Sequence, residues 1–157
     1  MSTFKDAVDL VLLHEGGYVH DPKDKGGETN YGISKRAFPN EDIKALTRDR
    51  AKELYHEHYW LPAHCEQLPP HLRALHMDSA VNCGVKRAIQ FLQRAAGVKD
   101  DGVFGPETAK AAPHVSLAKY ALQRITHYER IIAKEPTQAR FRKGWTRRVQ
   151  YYTNGSQ

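Results

Sequence analysis

Two cysteines in 157 residues, Cys65 and Cys83, are too few for a disulfide framework, and their pairing cannot be read from the sequence. Long hydrophobic runs are also missing: the apolar stretch near the N-terminus is interrupted by Asp9 and is too short to span a bilayer. The same segment lacks a cationic leader and an uncharged apolar core, so a cytoplasmic chain with no export signal is expected. There is no internal repeat and no low-complexity segment. A phosphate-binding P-loop, a GxSxG elbow, an HExxH pair and paired CxxC motifs are all absent, and with them the usual signs of nucleotide, serine-hydrolase and zinc chemistry. Acidic residues become scarce toward the end of the chain. Residues 101–157 carry 10 Lys/Arg against 4 Asp/Glu, which is the whole net charge of +6, whereas residues 1–100 balance 14 against 14.

A neutral front and a basic back suggest an anionic partner for the last third. No helix-turn-helix or finger signature accompanies the charge, so nucleic acid is not expected. Hydrophobic residues at 40% and charged residues at 27% are ordinary for a globular domain, and 157 residues suffice to bury a core.

The periodicity is mostly helical. Phe4, Val8, Val11 and Leu12 fall on one stripe of a helix over 3–14, stopped by Gly16 and Gly17. Ala51, Leu54, Tyr55 and His58 predict a second helix over 47–59. Two more are predicted over 70–82 and 85–96, the latter closed by Gly97. A long helix over 116–134 follows, then a terminal one over 137–152 with Phe141, Trp145, Val149 and Tyr152 on its apolar face. Its other faces carry Arg140, Arg142, Lys143, Arg147 and Arg148. Between the first two helices, residues 17–34 suit a loop or a short irregular hairpin.

That loop holds HEGGYVHDPKDKGGETNYGIS, residues 14–34, with Glu15, Asp21, Asp24 and Glu28 among five glycines. Glu15 stands at the C-terminal end of the first helix, where the helix dipole opposes a second negative charge, as a general acid requires. Asp24 and Asp21 are candidates for a second carboxylate. A protonated acid facing an ionised carboxylate is the arrangement that hydrolyses glycosidic bonds. A calcium loop would need oxygen ligands at alternate positions and a closing Glu, an order that DPKDKGGETNYG lacks. His56, His58, His64 and Cys65 read as surface histidines and a buried thiol, not as a zinc site.

The spacing E-G-G-Y followed by D-P-x-D-x-G-G-x-T-x-x-G-I, Glu15 to Ile33, resembles glycoside hydrolase family 108, phage endolysins and related bacterial muramidases of the lysozyme superfamily. Residues 79–108, SAVNCGVKRAIQFLQRAAGVKDDGVFGPET, are similar to the predicted peptidoglycan-binding region that accompanies it. The resemblance implies a mostly α, α+β lysozyme-like fold: one helical globule with a small irregular hairpin near the N-terminus and a cleft between two lobes. It divides the chain into a catalytic part, 1–87, and a helical peptidoglycan-binding part, 88–157, packed as one globule.

It also implies that Glu15 is the catalytic acid. In the more distant phage lysozymes a Glu–Asp–Thr triad has its Asp nine positions after the Glu, as Asp24 stands here. Gapless counting puts Asn30 at the triad's Thr position, while the family motif has its Thr at Thr29. The site expected from the resemblance is therefore Glu15, Asp24 and Thr29, with Tyr18, Asn30, Tyr31 and Asn82 as sugar contacts. Asn82 or Gln93 is positioned to bond an N-acetyl group, helix capping being the alternative for Asn82. Asp21, before Pro22, reads as a turn residue and Glu28 as solvated. The implied activity is hydrolysis of the β-1,4 bond between N-acetylmuramic acid and N-acetylglucosamine, with no cofactor and no metal. The expected partners are peptidoglycan and, through the basic C-terminal helix, anionic outer-membrane or cell-wall polymers. A monomer held in the host cytoplasm until a holin pore releases it is expected. A wall-binding protein without catalysis is the alternative.

Overall fold

The computed structural model describes residues 3–22 and 27–154. Thr3 starts the first helix: its hydroxyl accepts the Asp6 N–H while the Asp6 carboxylate reaches back to Thr3, a capping box. α1 (Phe4–His14) buries Ala7, Val8, Val11 and Leu12 and ends at Glu15, whose backbone turns extended while its N–H still bonds the Val11 carbonyl. Three short strands follow: β1 (Val19–His20), β2 (Glu28–Asn30) and β3 (Ile33–Ser34). They form an antiparallel sheet in the order β1-β2-β3, with Val19 opposite Thr29 and Asn30 opposite Ile33. The loop or short irregular hairpin expected over 17–34 is thus a small meander. Its second turn is Tyr31-Gly32, both at positive φ (53° and 77°), the two-residue geometry that matches strand twist.

α2 (Arg48–Tyr55) is shorter than predicted, because residues His56–Trp60 continue it as a π-turn. The wider turn shifts the face by about one residue, so Trp60, not His58, enters the core. α3 (Pro70–Cys83) is the spine. It is buried on nearly every side, from Leu72 to Ala80, and stops at Gly84 (φ 99°). Gly84 also precedes α4 (Val85–Ala96). α5 (Pro106–Ala111) and α6 (Leu117–Lys134) follow. The terminal segment is a 3₁₀ stretch, Pro136–Phe141, running into α7 (Arg142–Thr153). Phe141 consequently leaves the predicted stripe and is exposed, while Val149 and Tyr152 stay buried.

Two apolar clusters flank α3. One gathers α1, β3, α2 and the π-turn around Val11, Ile33, Tyr55, Trp60 and Met77. The other gathers α4, α6 and α7 around Leu72, Leu75, Phe91, Tyr120, Val149 and Tyr152. The chain is one mostly helical globule with two lobes on a shared helix. The position 87/88 falls inside α4, whose Ala88 belongs to the first cluster and whose Phe91 and Leu92 belong to the second. No helix among the described residues is long and apolar enough to cross a membrane.

Candidate active site

The end of α1 brings Glu15 against the β2–β3 turn. A Cβ added to Gly32 would lie 2.7 Å from Glu15 Cγ and would clash with the Tyr55 hydroxyl, so only glycine lets the carboxylate approach so closely. The Tyr55 hydroxyl fixes the turn from the other side by donating to the Tyr31 carbonyl at 2.6 Å. Burial, and next the nearby Glu15, push the Tyr55 phenol well up, so it remains a neutral donor.

Glu15 is only partly exposed, and its partner comes from the opposite end of the chain. Arg148 Nη2, on α7, stands 3.1 Å from Glu15 Oε1. Arg148 also clamps Asp78, with Nε 3.0 Å from Oδ2 and Nη2 2.9 Å from Oδ1. Asp78 is completely buried on α3. It also receives Arg124 from α6 (2.8 Å) and the Tyr152 hydroxyl (2.9 Å). Burial alone would raise the Asp78 carboxyl, but the Arg124 and Arg148 guanidinium groups outweigh it and hold the acid below the usual range. Arg124 extends the network by donating to the Tyr128 hydroxyl (2.8 Å) and to Ser79 Oγ (3.1 Å), and Tyr128 in turn donates to Asn82 Oδ1. The sequence reading missed Asp78, Arg124 and Arg148.

The candidates read from the sequence take different places. Asp24 lies outside the described residues. Asn30 is buried and donates its amide to the Ile43 carbonyl at 3.0 Å, which anchors β2 to the following loop. Thr29 is half-buried in the adjacent position and, by strand alternation, points to the opposite face. Tyr31 packs against the first core cluster. Tyr18 is exposed, with its hydroxyl 2.6 Å from Glu28 Oε2, so Glu28 has a protein partner where solvation was expected. Asn82 is exposed beside a groove along α7. It does not cap α3, which ends at Gly84.

Gln93 does not reach a cleft. It is buried, bonding Asp101, Val103, Gly102 and Thr108, and holds the DDGVFGPET turn in place. Both cysteines are free thiols, and burial pushes both upward. Of the five cations expected on the terminal helix, Arg148 turns inward and Arg142 pairs with Glu129 at 2.8 Å.

A helix-end carboxylate held against a small antiparallel sheet, between two helical lobes, is the layout of a lysozyme-like glycoside hydrolase. Residues 8–84 match the family model described as glycosyl hydrolase 108, and residues 87–150 match that of a predicted peptidoglycan domain. Among solved structures, the chain is similar to that of Brucella abortus SagA, at 33% identity and a TM-score of 0.80, covering 95% of this chain and 90% of that one. The chain belongs to the glycosyl hydrolase 108 family and is a glycoside hydrolase of peptidoglycan. No curated protein sequence matches it.

Proposed function

We propose that this protein is an N-acetylmuramidase of the endolysin type, cutting the β-1,4 bond between N-acetylmuramic acid and N-acetylglucosamine. The observation that carries the reading is the seat of Glu15 against the Tyr31–Gly32 turn, with one carboxylate oxygen held by Arg148. Arg148 occupies Oε1, which leaves Oε2 to carry the proton. That proton passes to the glycosidic oxygen as the bond to the muramic anomeric carbon breaks. Asp24 stabilises the oxocarbenium charge and orients the water that completes hydrolysis, and Thr29 assists. Thr29 is preferred to Asn30 because the Asn30 amide is committed to Ile43. Water is the only co-reactant, and the enzyme acts as a monomer.

In this role the protein accumulates in the cytoplasm of a phage-infected host and reaches the wall through a holin pore. Exposed Lys143 and Arg147 supply attraction to anionic wall or outer-membrane polymers. Lysis at rising salt tests that attraction, and a flat response contradicts it. The activity itself is tested by mass spectrometry of digested peptidoglycan. Products ending in reducing N-acetylmuramic acid are expected. Reducing N-acetylglucosamine, anhydro-muramic or amidase products contradict the assignment.

A further inference from the structure

A groove of about 520 Å³ runs along α7 beside the ends of α1 and α3, and Arg148 lies in its wall. Arg148 also bonds Glu15, so the wall of the groove and the candidate acid share one side chain. Its volume falls in the range of pockets that hold a sugar-sized ligand. Trp145 and Tyr151 supply aromatic surface, and Tyr128 stacks on the Trp145 indole at 4.8 Å and fixes its plane. Arg147 stands on the exposed side.

The hydrogen-bond network sets the polarity of Asn82. Arg124 Nε can only donate, so the Tyr128 oxygen accepts there and its own proton goes to Asn82. The amide atom facing Tyr128 is therefore the oxygen, and Nδ2 remains a donor on a residue that lines the groove. Gly144 adds an independent sign. It lies in the first turn of α7, where a Cβ would meet no atom within 4 Å. Packing does not require a glycine there, and the helix would gain from alanine. What the glycine provides is an open groove.

We propose that this groove is the subsite for an N-acylated sugar carrying an anionic peptide stem, the peptide-substituted muramoyl unit. The ring lies on Trp145 and Tyr151, the acyl oxygen accepts from Asn82, and a carboxylate of the peptide stem faces Arg147. The choice of sugar rests on the function proposed above, yet binding can be read without catalysis.

The test is tryptophan emission of the intact protein titrated with the N-acetylglucosaminyl-N-acetylmuramoyl tetrapeptide. This probe lacks the bond that a muramidase cuts. Trp60 is fully buried, so a change in emission reports Trp145. Saturable binding is expected, with N,N′-diacetylchitobiose (chitobiose below), which has acetamido groups but no carboxylate, about tenfold weaker. Arg147→Gln weakens the tetrapeptide about tenfold and leaves chitobiose unchanged. Asn82→Asp keeps the acceptor for Tyr128 but removes the donors, and weakens both. Gly144→Ala weakens both while raising the melting temperature by about 1–3 °C, a combination that a merely structural glycine cannot give. No saturable change with the tetrapeptide, or wild-type binding by Gly144→Ala and Arg147→Gln, overturns the proposal. Reducing-end release from polymeric peptidoglycan by the unmodified enzyme is measured alongside. Hydrolysis without groove binding removes only the subsite, and groove binding without hydrolysis removes only the muramidase reading.

Discussion

Arg148 Nη2 lies 3.1 Å from Glu15 Oε1 across a sequence separation of 133 residues. This contact joins the last helix of the peptidoglycan-domain segment to the carboxylate that ends α1. Because the same guanidinium forks onto buried Asp78, the orientation of Glu15 depends on α3 and α7 together.

In the mechanism proposed above, Arg148 is a positioning residue. Lysine keeps the charge but cannot span both carboxylates. Arg148→Lys is expected to lower kcat roughly tenfold to a hundredfold with a smaller change in KM, since the misplacement acts on the acid and not on substrate affinity. Steady-state rates on soluble peptidoglycan check this. An unchanged kcat contradicts it.

Asp78→Asn leaves two arginines facing a neutral amide in the interior. The expected loss is about 3–5 kcal/mol, read by denaturant unfolding at pH 7. The pH dependence follows from the sign of the shift. The folded acid sits below its unfolded value of about 3.9, so its contribution is full above pH 4 and is lost as pH falls through the lower folded value. Asp78→Asn is expected to lack that acid limb.

His76 gives a second pH effect at higher pH. It is buried, with Nε2 2.9 Å from the Ala63 carbonyl and Nδ1 2.6 Å from the Tyr120 hydroxyl. The carbonyl can only accept, so Nε2 carries the proton and Nδ1 accepts from Tyr120. Burial pulls His76 down to about 4, below the unfolded 6.5. The unfolded chain thus binds the proton first, and stability declines between pH 6.5 and 4 by roughly 3 kcal/mol. The melting temperature is expected to fall by roughly 5–10 °C over that range, and by less in His76→Gln, whose amide can serve both partners.

Gly32→Ala and Gly97→Ala separate backbone strain from the site. Both glycines have positive φ, 77° and 73°, but an added Cβ at Gly97 meets nothing. Each substitution is expected to cost about 1 kcal/mol or more in stability. Only Gly32→Ala should also reduce hydrolysis by tenfold or more, because its methyl displaces Glu15. Equal activity in the two variants contradicts this account of the turn.

The helices were legible because their stripes repeat with helical spacing and glycine or proline marks their ends. The meander was less so, since its strands are two or three residues long and pairing leaves little pattern at that length. The π-turn at His56–Trp60 inserts a residue that no propensity signals, hence the misplaced His58. Glu15 stood out through its motif. The charge network did not, because its members lie 24 to 133 positions apart, although a local sign existed. Asp78 is the lone carboxylate of α3, between Met77 and the small residues Ser79 and Ala80. Arg124 stands four positions from both Tyr120 and Tyr128, and Arg148 lies between Trp145 and Tyr152. Each charge has apolar or aromatic neighbours three or four positions away, the mark of a buried and paired group.

The most direct test of the central claim is Glu15→Gln against the unmodified enzyme on purified peptidoglycan, followed by reducing-end release. The isosteric amide retains the bulk of the side chain but cannot donate a carboxylic proton. Release is expected to fall at least a thousandfold, with an unchanged fold by circular dichroism. Release at the unmodified rate by a folded Glu15→Gln protein would contradict the account.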